Sequence, residues 1–96
     1  MEAKYRITKV ADGVRDMLLE KNKAYGNSAL SPVNIFSKQN AVQSLSARID
    51  DKLARISNSG ITDETEDTLH DLCGYLILLI IALENEKEQR DVHADA

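Results

Sequence analysis

The chain is poor in the residues that punctuate or cross-link a fold. Its 96 residues include one cysteine, one proline, four glycines and no tryptophan. A single cysteine excludes an internal disulfide and a cysteine-built zinc centre. Aromatics are 4% of the chain, one phenylalanine and three tyrosines, so any core is built from aliphatic side chains. The longest apolar run, Leu72 to Leu83, is broken only by Gly74. A run that short cannot span a bilayer. The opening MEAKYRITKV has no apolar signal core. With the lone cysteine, it points to a cytoplasmic protein with no membrane partner. The net charge of −4 argues against general DNA or RNA binding, which needs a basic surface.

What is present is helical periodicity. Charged residues make up 29% and hydrophobic residues 43%, a globular composition large enough for one domain. Ile7, Val10, Val14, Met17 and Leu18 form an apolar stripe of helical period, which predicts a helix from Thr8 to Asn22. Ser31-Pro32 reads as an N-cap and a proline at the first helical position. It predicts a short helix through Val33, Ile35 and Phe36. A second long helix starts at Asn40, carries Val42, Leu45, Ile49, Leu53 and Ile56 on one face, and ends at Asn58-Ser59-Gly60. A third begins at Thr62, with Asp63 and Glu66 spaced as a capping box, and continues to Glu88. No strand-like alternation, repeat or linker interrupts the pattern. The expected fold is all-α: a small bundle of three long helices and one short helix in a single domain over residues 1–88. Residues 89–96 form a polar tail expected to fray.

The third helix is apolar nearly all round. Leu69, Leu72, Leu76, Leu79, Ile80 and Leu83 centre on one side, which is expected to pack on the other helices. The opposite side passes Asp67, Asp71 and Tyr75 and turns apolar at Ile77, Leu78, Ile81 and Ala82. A helix apolar all round is covered all round, and two long helices are too few to do it. The chain is therefore expected to form a homo-oligomer through the C-terminal half of this helix.

Two groups of residues carry candidate chemistry. Lys21, Lys23, Tyr25, Asn27 and Ser28 place cations, a stacking ring and polar groups in one loop, with Gly26 as a hinge. Cations beside an aromatic ring hold a base and its phosphate; they equally suit the C-terminal dipole of a helix. Arg48, Lys52 and Arg55 line one flank of the second helix. They face either Asp67 and Asp71, as a structural salt-bridge lattice, or the phosphate of a ligand. Asp67 and Asp71 share a helix face, and Asp50 lies on the neighbouring helix. Such a set suits magnesium beside phosphate oxygens. His70 and His93 have no metal-ligand spacing, and Cys73 reads as a small apolar side chain. No phosphate loop or nucleophile elbow is present.

Three blocks together, KNKAYGNSAL (Lys21 to Leu30), IFSK leading to RIDDKLARI (Ile35 to Ile56) and EDTLHDLCGYLILL (Glu66 to Leu79), resemble a family of small phage and prophage proteins grouped as a nucleotide-modification-associated domain. The resemblance covers Glu20 to Leu83. More distantly it is similar to the all-α nucleoside triphosphate pyrophosphohydrolases of the MazG type, which are magnesium-dependent helical oligomers. The resemblance implies a nucleotide or another phosphorylated small molecule as ligand, and the cytoplasm of an infected or lysogenic bacterial host as the setting.

Two functions follow, beside the third possibility of a purely structural helical oligomer. In the first, the chain binds and sequesters a signalling nucleotide, cyclic or linear, near a subunit boundary and needs no cofactor. In the second, it is a magnesium-dependent pyrophosphohydrolase with Asp50, Asp67 and Asp71 on the metal. The MazG-type ExxE pair is missing from the first helix, which offers Asp16 and Glu20 at i, i+4 instead. That absence and the excess of cations favour binding over hydrolysis.

Overall fold

The structure is a computed structural model that describes residues 2–94. It contains three long helices, α1 (Ala3–Tyr25), α2 (Ala41–Ser59) and α3 (Glu66–Ala94), with a 3-10 turn at Asp63–Thr65. Among the described residues there is no strand. The expected short helix after Ser31 does not form: residues 31–40 are bends and irregular backbone. Asn34 adopts a positive φ of 53°, which ends any helical run. Its side-chain amide donates to the Gln39 carbonyl at 2.7 Å, and Ser37 Oγ donates to Asn34 Oδ1 at 3.1 Å. Val33, Ile35 and Phe36 are left exposed.

The helix ends have local causes. Gly26 closes α1 at φ 64° and ψ −150°, a region essentially reserved for glycine. Gly60 closes α2 at φ 78° and donates its N–H to the Ile56 carbonyl at 2.7 Å. Asn40 caps α2 through a reciprocal box: Asn40 Oδ1 accepts from the Gln43 N–H at 2.8 Å, and Gln43 Oε1 accepts from the Asn40 N–H at 3.0 Å. At the third helix the cap is Thr62 with Thr65, rather than Asp63 with Glu66. Thr62 Oγ1 accepts from the Glu64 N–H, and Thr65 Oγ1 accepts from the Thr62 N–H at 2.9 Å. α3 continues past Glu88 to Ala94, with Gln89, Arg90 and Ala94 good helix formers and Asp91, Val92 and His93 weaker ones. The tail that was expected to fray is thus helical as far as it is described, and residues 95 and 96 lie outside the described part.

Packing is uneven. α2 and α3 form an antiparallel hairpin, with Leu45 fully buried and Ala82 nearly so. α1 instead crosses α3 at one place. Gly74 is buried there, and a Cβ on residue 74 would fall 3.0 Å from Leu18 Cδ2 and 3.2 Å from Met17 Cε. Glycine is what lets the two helices approach so closely. Because α1 crosses rather than follows α3, only Val14 of its apolar stripe is buried, and Ile7 and Val10 stay exposed.

The orientation of α3 differs in part from the one expected. Of the side expected to pack, Leu69, Leu72 and Leu79 are half-buried, but Leu76, Ile80 and Leu83 face outward; on the other side Gly74 and Ala82 are buried and Asp71, Tyr75, Leu78 and Ile81 half-buried, with Asp67 and Ile77 exposed. The helix has no apolar moment to choose a face, so the close approach at Gly74 and the small Ala82 decide it. The whole chain exposes 7683 Å², whereas a folded monomer of its mass exposes roughly 5,500 Å². Its radius of gyration is 15.9 Å, against about 12.5 Å for a compact domain of this length.

Candidate functional site

Where α1 and α2 meet α3, three of the expected loop residues converge with one of the expected arginines. Lys21, Tyr25 and Ser28 from α1 and its exit, Arg48 from α2, and Asp71, Tyr75 and Leu78 from α3 line one groove of ≈ 420 Å³. Met17 and Leu18 form its apolar floor beside Gly26 and Ala29. The volume lies in the range of small-molecule sites.

The loop geometry explains how Ser28 reaches the groove. The positive φ at Gly26 reverses the chain out of α1. The Asn27 carbonyl then accepts from the N–H groups of Leu30 at 3.0 Å and Ser31 at 2.7 Å. This tight turn folds Ser28 and Ala29 back against the helices. Asn27 itself therefore acts through its backbone, and its side chain does not line the groove. Lys23 also lies outside it, in the last turn of α1 where its charge suits the helix dipole.

Asp71 organises the charges. Its Oδ2 is 3.2 Å from Lys52 Nζ and its Oδ1 is 3.5 Å from Lys21 Nζ. Lys52 lies on the packed face of α2, its side chain only 15% exposed, so its stem covers apolar surface while its ammonium reaches Asp71. Partial burial pushes the Asp71 carboxyl up. The hydrogen bond from Lys52 and the charges of both ammonium groups outweigh that, and hold it below the usual carboxylate range.

The salt-bridge lattice expected between Arg48, Lys52, Arg55 and the pair Asp67 and Asp71 is thus reduced to one carboxylate shared by Lys52 and Lys21. Among the described residues, Arg48, Arg55 and Asp67 have no ion-pair partner within 4.0 Å. Arg48 lines the groove, whereas Arg55 lies two turns further along α2 and does not line it.

A second groove, of ≈ 640 Å³, lies on the other side of the Leu18–Gly74 crossing. Arg6, Lys9, Val10 and Gly13 face Glu66, Asp67, His70 and Asp71 across it. Two of the three carboxylates expected to hold magnesium, Asp67 and Asp71, share this groove; Asp50 is exposed on α2 and lines neither groove. Among the described residues no group of three or more His, Cys, Asp or Glu side chains is placed to hold a metal ion. Nor is any helix long and apolar enough to cross a membrane.

Sequence reasoning missed Asn22 and Tyr75 as groove residues. The signal for Tyr75 was available: it lies four residues after Asp71 and so shares its helix face. Comparisons with protein-family models, with curated proteins and with solved structures found no match.

Proposed function

We propose that the chain binds a phosphorylated small molecule carrying an aromatic ring, a nucleotide or cyclic nucleotide, in the ≈ 420 Å³ groove, and that it works as a homo-oligomer. The observation that carries this reading is the meeting of an unpaired arginine, Arg48, with Lys21 and two tyrosines in one groove. Arg48 takes the phosphate, since a guanidinium offers a planar fork of donors. Lys21 adds a second charge and is held in place by Asp71. Tyr25 and Tyr75 supply ring faces for the base. Ser28 and Asn22 supply hydrogen-bonding groups. With the resemblance to small phage proteins, this chemistry suits a protein of the host cytoplasm that sequesters a signalling nucleotide and leaves it intact.

The test is a melting-temperature screen of the full chain against linear and cyclic nucleotides. A ligand at about 100 times its Kd adds about 2.7 kcal/mol, on the order of 10 °C for a domain of this size. Such a shift in the wild type, lost in Arg48→Gln, is the expected result. No shift with any nucleotide overturns the reading.

A second reading is magnesium-dependent pyrophosphate hydrolysis, and one observation favours it: Asp67 and Asp71 line a common groove with Glu66 and His70. Against it, both Asp71 oxygens face ammonium groups. Release of pyrophosphate from a nucleoside triphosphate with magnesium, abolished by Asp71→Asn, would favour it. If neither binding nor turnover is found, the structural oligomer is left.

A further inference from the structure

The outward face of α3 carries an apolar seam left mostly uncovered by the described residues. Leu69, Cys73, Leu76, Ile80 and Leu83 follow one another at spacings of four, three, four and three. This is the heptad period at which two helices keep a common seam. Leu69 is half-buried and the rest are exposed, Leu76 44%, Ile80 57% and Leu83 49%. Ile77, 41% exposed, flanks the seam. The buried positions of α3, Gly74 and Ala82, lie on the other side of the helix. Continuing the same register adds Glu66 before the seam and Lys87 and Arg90 after it, all exposed.

We propose that a second copy of this chain docks on this seam with its α3 antiparallel, about a two-fold axis at residue 78. Leu76 then meets the partner's Ile80, and Cys73 meets the partner's Leu83. The charges fix the direction. In the antiparallel register Glu66 falls opposite the partner's Arg90, and Leu69 packs under the stem of the partner's Lys87. The helix dipoles also oppose. A parallel register would set Glu66, Lys87 and Arg90 each against its own copy, three layers of like charge.

The area supports a second copy as the occupant. The chain exposes 7683 Å², roughly 2,000 Å² more than a monomer of its mass. A standard interface takes about 800 Å² from each partner, so the surplus is more than enough to supply one dimer contact. Large contiguous apolar patches are rare on monomers. The inference rests on the homo-oligomer part of the proposed function and not on its ligand. Asp71, Tyr75 and Leu78, which line the ligand groove, are on the opposite side of α3.

Size-exclusion chromatography with light scattering on the full chain tests it. The wild type is expected to run at the mass of two chains; the mass of one chain at tens of micromolar overturns the proposal. Leu76→Glu with Ile80→Glu sets like charges face to face at the axis. It is expected to give a helical monomer by circular dichroism, and a helical dimer overturns the seam. Thiol cross-linking reads the direction without relying on that variant. With diamide as oxidant, Leu83→Cys is expected to form a covalent dimer through Cys73, and the wild type is not. Wild-type chains that cross-link through Cys73 as readily as the variant would overturn the antiparallel register. A dimer that binds no nucleotide leaves this inference standing and overturns only the ligand reading.

Discussion

Lys52 Nζ lies 3.2 Å from Asp71 Oδ2, with the lysine only 15% and the aspartate 28% exposed. This pair ties α2 to α3 through a charged contact. The second oxygen of the same carboxylate holds Lys21 of α1 at 3.5 Å. Asp71, itself on α3, thus ties both other helices to it through charge.

Acid should weaken the fold through this residue. The Asp71 carboxyl is held below its ordinary value of 3.8 in the folded chain. Its contribution is therefore present above the unfolded pKa and is lost as pH falls through the folded one. Asp71→Asn is expected to cost about 1 kcal/mol at neutral pH and much less at pH 2. Urea melts at the two pH values, wild type against variant, measure the difference. An equal cost at both would show that the charge is not what Asp71 contributes.

The same substitution removes a carboxylate from the ligand groove. Under the binding reading, Asp71→Asn spares nucleotide affinity or only weakens it, because Lys21 keeps its charge and loses only the carboxylate that holds it in place. Calorimetric titration decides this. A large loss of affinity would mean that Asp71 touches the ligand or a metal held with it.

Groove residues and their neighbours should separate cleanly. Arg48→Gln and Lys21→Ala each remove a charge-assisted contact of about 1.5–3 kcal/mol, and so should weaken nucleotide binding about tenfold or more. Tyr75→Ala is expected to lose about 1–3 kcal/mol of stacking. Lys23→Ala and Arg55→Ala lie outside the groove and should change binding less than threefold at 0.15 M salt, where exposed charges are screened. Equal losses at all five positions would indicate general electrostatic attraction rather than a site.

Much of the hairpin is legible in the sequence. Of the expected α2 stripe, Val42, Leu45, Ile49 and Ile56 are buried or half-buried and Leu53 stays exposed, while the limits at Asn40 and Gly60 follow from capping chemistry. The convergence of Lys21 and Tyr25 with Arg48 is also readable, because each lies next to a helix face that must pack. The direction in which α3 faces is not. Leu76, Ile80 and Leu83 are as apolar as Leu78, Ile81 and Ala82. What decides between them is the close approach of Leu18 and Met17 to Gly74, where a Cβ would fall 3.0 Å from Leu18 Cδ2, and no hydropathy pattern encodes that. The segment at Ser31-Pro32 misleads for a similar reason. It carries the start signal of a helix, but Asn34 takes a left-handed backbone three residues on.

The α1–α3 crossing gives a prediction of its own. Gly74→Leu puts a side chain where Leu18 and Met17 already stand. Overpacking of this kind costs about 1–3 kcal/mol, offset in part by the better helix propensity of leucine. The loss should appear as α1 detaching, with faster hydrogen exchange in Val14–Lys21 than in α2. Uniformly faster exchange in all helices would contradict a crossing that serves α1 alone.

Gly26 sets the loop. At φ 64° and ψ −150° an alanine is strained by about 1–3 kcal/mol, and nothing crowds the position otherwise. Gly26→Ala is therefore expected to lower ligand affinity more than fold stability, since it displaces Ser28 without touching the core. Thermal melts with and without nucleotide separate the two effects. Equal loss in both would place Gly26 in the fold rather than in the site.

The central claim is that the groove of Lys21, Arg48, Tyr25 and Tyr75 holds an intact nucleotide. Native mass spectrometry of the purified chain, incubated with an equimolar nucleotide mixture and magnesium, tests it most directly. The account predicts protein carrying one unaltered nucleotide per chain, a mass lost in the Lys21→Ala, Arg48→Gln double variant. Bare protein, or protein carrying only a cleaved product, would contradict it.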